Sequence, residues 1–114
     1  MKSLTVNEAL SQKDHIHGHC IEVEGLLVYE FENVSIRHWP KAQQTPDFAT
    51  GVWIDAEGAF SFDDEVMRRW AGKRVVVLGI FESSPPQRFD GGHNGFGHWG
   101  LWPARMRARP DGSV

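Results

Sequence analysis

Five residues carry the chain's clearest chemical potential: Arg37, Trp39, Trp53, Arg105 and Arg107. They sit at alternate positions in three short stretches, VSIRHW (34–39), GVWID (51–55) and WPARMRARP (102–110). In an extended strand, alternate side chains share a face. If Val34, Ile36, Val52, Ile54, Met106 and Ala108 point inward, then Arg37, Trp39, Trp53, Asp55, Arg105, Arg107 and Arg109 point outward. Indole platforms beside guanidinium groups suit a polymer of flat rings joined by phosphates, with each stacked ring worth about 1–3 kcal/mol. The same residues also have a packing use. Trp39 would fill space under the loop at 41–50, Trp53 would cover a helix, and the arginines would pair with Glu22, Glu24 or Glu30.

Two further groupings bear on chemistry. His15, His17 and His19 alternate in HIHGHC, and imidazoles so spaced on an extended segment can share a zinc, copper or nickel ion. No CxxC or HExxH supports them, so no metal and no cofactor is expected. The stretch SSPPQRFDGGHNGFGH (83–98) is rich in glycine, which permits close backbone approach to a ligand, and it offers Arg88 and Phe96 as contacts. It is not a phosphate-binding fingerprint, since neither GxGxxG nor GK[ST] is present. No serine stands in a nucleophile-elbow context, and Cys20 falls on an apolar strand where cysteine usually packs. The expectation is a protein that binds rather than catalyses.

These side chains are positioned by a run of β-type segments. A first strand is expected over about 19–31 (HCIEVEGLLVYEF), broken by Gly25, where a bulge or sharp coil would bend it. A second follows at 34–39, ended by Pro40, and a third at 51–55. The stretch SFDDEVMRRWA (61–71) reads as a helix with Ser61 or Asp63 as N-cap and Gly72 at its end. Its apolar stripe is Val66, Met67 and Trp70. The fourth strand, KRVVVLGIF (73–81), is nearly all apolar and reads as buried on both faces or covered by the helix. The fifth spans about 99–109, with Pro103 confining its start to an edge or bend. A short N-terminal helix through Leu4, Val6, Ala9 and Leu10, capped by Thr5 or Ser3, would have to dock on the rest to persist.

Three strands, a helix and two strands resembles the layout of the oligonucleotide/oligosaccharide-binding (OB) fold, with GKRVVVLGIFES and WPARMRARP similar to the last strands of small bacterial OB domains. The resemblance implies a five-stranded Greek-key barrel over about residues 19–109 within a single domain, 1–114. It implies ligands on the face of the second and third strands, flanked by the loops after the first and fourth. The short turn at Phe31 to Asn33 departs from that pattern by removing one flanking loop.

Bulk properties narrow the partner. Net charge is −3, which argues against strong non-specific nucleic-acid binding. Residues 1–60 hold four Lys and Arg against nine Asp and Glu, net −5, whereas 61–114 hold eight against six, net +2. One cysteine excludes an internal disulfide, and no apolar run is long enough for a signal or a span, so a cytoplasmic location is expected. The leading expectation is a module for single-stranded nucleic acid, using Arg37, Trp39, Trp53, Arg105 and Arg107 with Arg88 and Phe96. The alternative is a protein-binding module, such as an inhibitor, an immunity-type protein or an adaptor, whose acidic edge (Glu22, Glu24, Glu30, Glu32) meets a basic protein partner.

Overall fold

The computed structural model describes residues 3–31, 33–46, 50–56, 63–83, 95–97 and 101–108. A short strand β1 (Ser3–Thr5) leads into helices α1 (Val6–Ser11) and α2 (Lys13–Ile16). Strands β2 (Cys20–Glu30), β3 (Asn33–Arg37) and β4 (Val52–Ala56) follow, then helix α3 (Asp64–Trp70) and strands β5 (Arg74–Ser83) and β6 (Ala104–Ala108). The sheet runs β1-β2-β3-β4-β6-β5, and β5 pairs back onto β2, so the five strands β2 to β6 close into a barrel. Strands β4 and β6 are parallel, while the other barrel pairs are antiparallel. This is the OB-type barrel, with its helix between the third and fourth barrel strands.

Gly25 is the pivot of the closure. Before it, Glu22 to Glu24 pair with β1, and after it, Leu26 to Glu30 pair with β3, while β5 runs along the other edge of β2. A Cβ at Gly25 would lie 2.5 Å from the Arg37 carbonyl oxygen and 3.0 Å from Val6 Cγ2, so only glycine lets α1, β2 and β3 meet there. The core lies inside the barrel and is built from Val23, Leu27, Ile36, Val52, Ile54, Val77, Phe81 and Met106, joined by Val6, Ala9 and Leu10 of α1. Thr5 caps α1: its hydroxyl accepts from the Glu8 N–H at 3.2 Å, while the Glu8 carboxylate accepts from the Thr5 N–H at 2.9 Å.

Several expectations are corrected. The N-terminal segment opens with β1, parallel to β2, and α1 starts only at Val6. Helix α3 is shorter than expected, with Asp63 as its cap, accepting from the Val66 N–H at 3.1 Å. It buries only Met67; Val66 and Trp70 stay 37% exposed, because so short a helix meets the barrel on one turn. Strand β5 is not buried on both faces. Val75, Val77 and Phe81 point inward, and Val76 is exposed. Strand β6 begins after Pro103, and Trp102 stands before it in an isolated bridge with Phe96. The alternative cap Ser61, most of the stretch at 83–98, and Arg109 lie outside the described residues.

Candidate functional site

Of the residues expected inward, Ile36, Val52, Ile54, Met106 and Ala108 are buried and Val34 is half-buried against the core, so their outward neighbours share the barrel wall as alternation requires. Cross-strand register gives one continuous outer row: Val28 opposite Ser35, Ser35 opposite Trp53, Trp53 beside Arg105, and Arg105 opposite Glu82. Trp53, Phe96, Arg105 and Arg107 therefore do come together. Trp102, which the sequence reading did not single out, completes the group: it packs edge-on against Trp53 with ring centroids 4.7 Å apart and donates its indole N–H to the Thr50 carbonyl at 2.8 Å. Its place next to Pro103 at the mouth of the last strand was the available signal.

This cluster satisfies itself. Arg105 Nε donates to Glu82 Oε1 at 2.7 Å and a terminal nitrogen donates to Asp55 Oδ2 at 3.1 Å. Arg107 Nε lies 3.1 Å from Glu82 Oε1, in an ion pair not aligned as a hydrogen bond. Partial burial works against the charge of Arg105, but the Glu82 and Asp55 carboxylates outweigh it and hold its pKa above the usual guanidinium value. The Trp53 indole N–H donates to Asp55 Oδ1 at 2.8 Å. Two guanidinium groups thus face two carboxylates, and the net charge is zero. Both broad surfaces are also engaged: the Phe96 ring lies 4.8 Å from the Arg105 guanidinium, and Gly97 (φ 75°) rests directly on the Trp53 ring, where any Cβ would overlap it. The arginines do pair with carboxylates, as the packing reading held, but with Asp55 and Glu82 instead of Glu22, Glu24 or Glu30.

Trp39 stands apart from this cluster. Its ring reaches across β2 to stack on Arg74, with the guanidinium carbon 3.9 Å from the ring centroid, and it remains 36% exposed. Its predecessor His38 turns inward and is buried. There the His38 Nδ1 accepts the Asn7 backbone N–H at 3.1 Å, and the His38 carbonyl accepts from the Gln44 side-chain amide at 3.0 Å. These bonds fix the end of β3 and so aim Trp39 outward. Register places Arg37 opposite Leu26, and Leu26 opposite Arg74, so the two cations flank one leucine on the outer wall. Arg74 donates to Glu24 at 2.9 Å. Among the described residues Arg37 has no carboxylate partner. It stands two residues along β3 from Ser35, between the two groups.

The remaining candidates fall elsewhere. Arg88 lies outside the described residues. His15 is on α2, so the three histidines do not share an extended segment, and the His17 Nδ1 accepts the Ser83 N–H at 2.9 Å. No group of three or more metal-ligating side chains occurs among the described residues. Of the acidic residues on the first barrel strand, Glu22 accepts from the Ser3 hydroxyl at 2.8 Å and Glu24 is held by Arg74, where β2 is flanked by β1 and β5; Glu30 at the end of β2 is exposed, and Glu32 lies outside the described residues. A cleft of about 320 Å³ opens at the β2–β3 turn, lined by Tyr29, Glu30, Phe31, Val34, Asp64 and Arg68. Phe31 at its rim is 91% exposed. The Tyr29 hydroxyl donates to Asp64 at 2.6 Å and Arg68 Nε donates to the same carboxylate at 2.7 Å. The Tyr29 hydrogen bond first, and Arg68 second, hold the Asp64 carboxyl below its ordinary value.

No protein-family model, no curated protein and no solved structure matches this chain. No helix among the described residues is long and apolar enough to cross a membrane.

Proposed function

We propose that the protein is a non-enzymatic OB-type module that binds single-stranded nucleic acid on the outer wall formed by β3, β2 and β5. One observation carries this reading: an indole about one-third exposed, Trp39, is held on Arg74 in the same cross-strand row as Arg37, which has no carboxylate partner among the described residues. An aromatic platform flanked by cations is what a sequence-tolerant single-strand site needs. Arg105 and Arg107 lie in a part-buried cluster with Asp55 and Glu82, whereas Arg37 has no carboxylate partner among the described residues and Arg74, though offset by Glu24, is more exposed, so the phosphate contacts are assigned to Arg37 and Arg74. Trp53 and Phe96 then act chiefly as the packed boundary of the site. Arg37→Ala and Trp39→Ala should each weaken binding of a short single-stranded DNA while leaving the melting transition nearly unchanged. Unaltered affinity in both folded variants refutes the assignment.

A second reading is favoured by Phe31. An apolar side chain 91% exposed beside Glu30 and a polar cleft suits a protein partner with a basic contact residue. Under that reading Phe31→Ala abolishes partner binding and leaves nucleic-acid affinity untouched.

A further inference from the structure

We infer that the single-strand site continues around the barrel rim onto Trp70 and Lys73, giving the bound strand a second stacking position. This inference rests on the nucleic-acid reading above. Lys73 lies over the Trp70 ring at 5.6 Å, and the next residue, Arg74, lies over Trp39 at 3.9 Å. Two consecutive cations at the start of β5 therefore each hold a tryptophan, one on the rim and one on the wall. Both indoles are a little over one-third exposed, Trp70 at 37% and Trp39 at 36%. A residue placed only for packing would be expected to bury more of so large a ring.

The rim pair is not a loose appendage. The turn after α3 is stitched to β2 by main-chain bonds: the Gly72 N–H donates to the Leu27 carbonyl at 2.8 Å, and the Leu27 N–H donates to the Lys73 carbonyl at 3.0 Å. The Lys73 N–H also closes back on the Trp70 carbonyl at 3.0 Å. Leu26, next in the chain, sits between Arg37 and Arg74. Main-chain bonds thus tie the segment carrying Trp70 and Lys73 to the β2 wall that holds Arg37 and Arg74 in register, so less ordering is needed when a strand lies along them. The charge balance is favourable too. Arg68 and Arg69 of α3 are answered by Asp64 and Glu65, but among the described residues no carboxylate answers Lys73 or Arg37, and Glu24 alone offsets Arg74. The strip therefore carries a net positive charge on a chain whose total is −3. It is a local place for phosphates on an otherwise repelling surface.

The test uses the full chain, a fluorescein-labelled oligothymidylate and anisotropy at low salt. Trp70→Ala should weaken binding about tenfold, as for loss of one stacked base. Lys73→Gln should flatten the dependence of log affinity on log salt by about 0.7, the loss of one phosphate contact. With all five tryptophans replaced by 5-fluorotryptophan, the fluorine resonances of Trp39 and Trp70 should both shift on titration. Affinity and salt slope unchanged in Trp70→Ala and Lys73→Gln, with Trp39→Ala still weak, would overturn the rim extension and leave the wall site standing. No binding by the unaltered protein would overturn both.

Discussion

Glu24→Gln should make the protein bind single-stranded nucleic acid more tightly. The Glu24 carboxylate sits 2.9 Å from Arg74, the cation on which Trp39 is stacked, so a phosphate approaching Arg74 also meets a negative charge. With water-like screening, removing one unit charge about 4 Å from a second is worth about 1 kcal/mol, the lower bound for such a pair. That corresponds to roughly fivefold in affinity. With Glu24 no longer offsetting Arg74, its phosphate contact should count in full and the salt dependence should steepen, by at most about 0.7 in the log–log slope. Glutamine keeps the size and an acceptor oxygen for Arg74. The exposed ion pair itself contributes about 0–1 kcal/mol, so the melting temperature should hardly move. Anisotropy of a labelled oligothymidylate across a salt series reads both quantities at once. Unchanged or weaker binding by the folded variant would refute the placement of Arg74 in the site, since the charge argument admits only a gain.

Gly25→Ala should destabilise the fold by about 1–3 kcal/mol, because its methyl group meets the Arg37 carbonyl and Val6 in a packed junction; urea unfolding close to that of the unaltered protein would contradict the close approach. Tyr29→Phe removes the hydrogen bond that does most to lower the Asp64 pKa, so a carboxyl NMR titration should show Asp64 moving up toward its ordinary value. The sign follows from linkage. A depressed native pKa favours the fold above the unfolded carboxylate value near 4 and that contribution is lost as pH falls through the native one, so Tyr29→Phe should lower stability slightly at neutral pH, and the difference from the unaltered protein should vanish at the acid end. An Asp64 titration identical in both proteins would show that the bond is not formed in solution.

Local patterns carried much of the fold. The β-strand alternation and the caps at Thr5 and Asp63 are properties of a few adjacent residues and occur as expected, whereas the expected break at Gly25 does not: β2 runs from Cys20 to Glu30 with continuous register against β5 as far as Leu26, and the glycine serves close packing against Arg37 and Val6. Partners that depend on barrel closure were not legible. Nothing near Trp39 in the chain points to Arg74, because the two meet only once β5 pairs with β2. Likewise Glu82 finds Arg105 through the register of β5 and β6, which no local pattern sets, and the carboxylates on the first strand were the nearer guess. The parallel strand β1 was hidden because three residues give too short a pattern to separate from the helix that follows. The Trp70–Lys73 spacing just before the fourth barrel strand was visible, but as a helical stripe it read as core.

The proposed binding of single strands through the exposed indoles and the cations Arg37 and Arg74 is tested most directly by intrinsic tryptophan fluorescence. Titration of the unaltered protein with a short mixed-sequence single-stranded DNA at low salt should give saturable quenching that weakens as salt is raised. A flat titration at low salt, where charge attraction is strongest, would contradict the claim and turn attention to Phe31 and a protein partner.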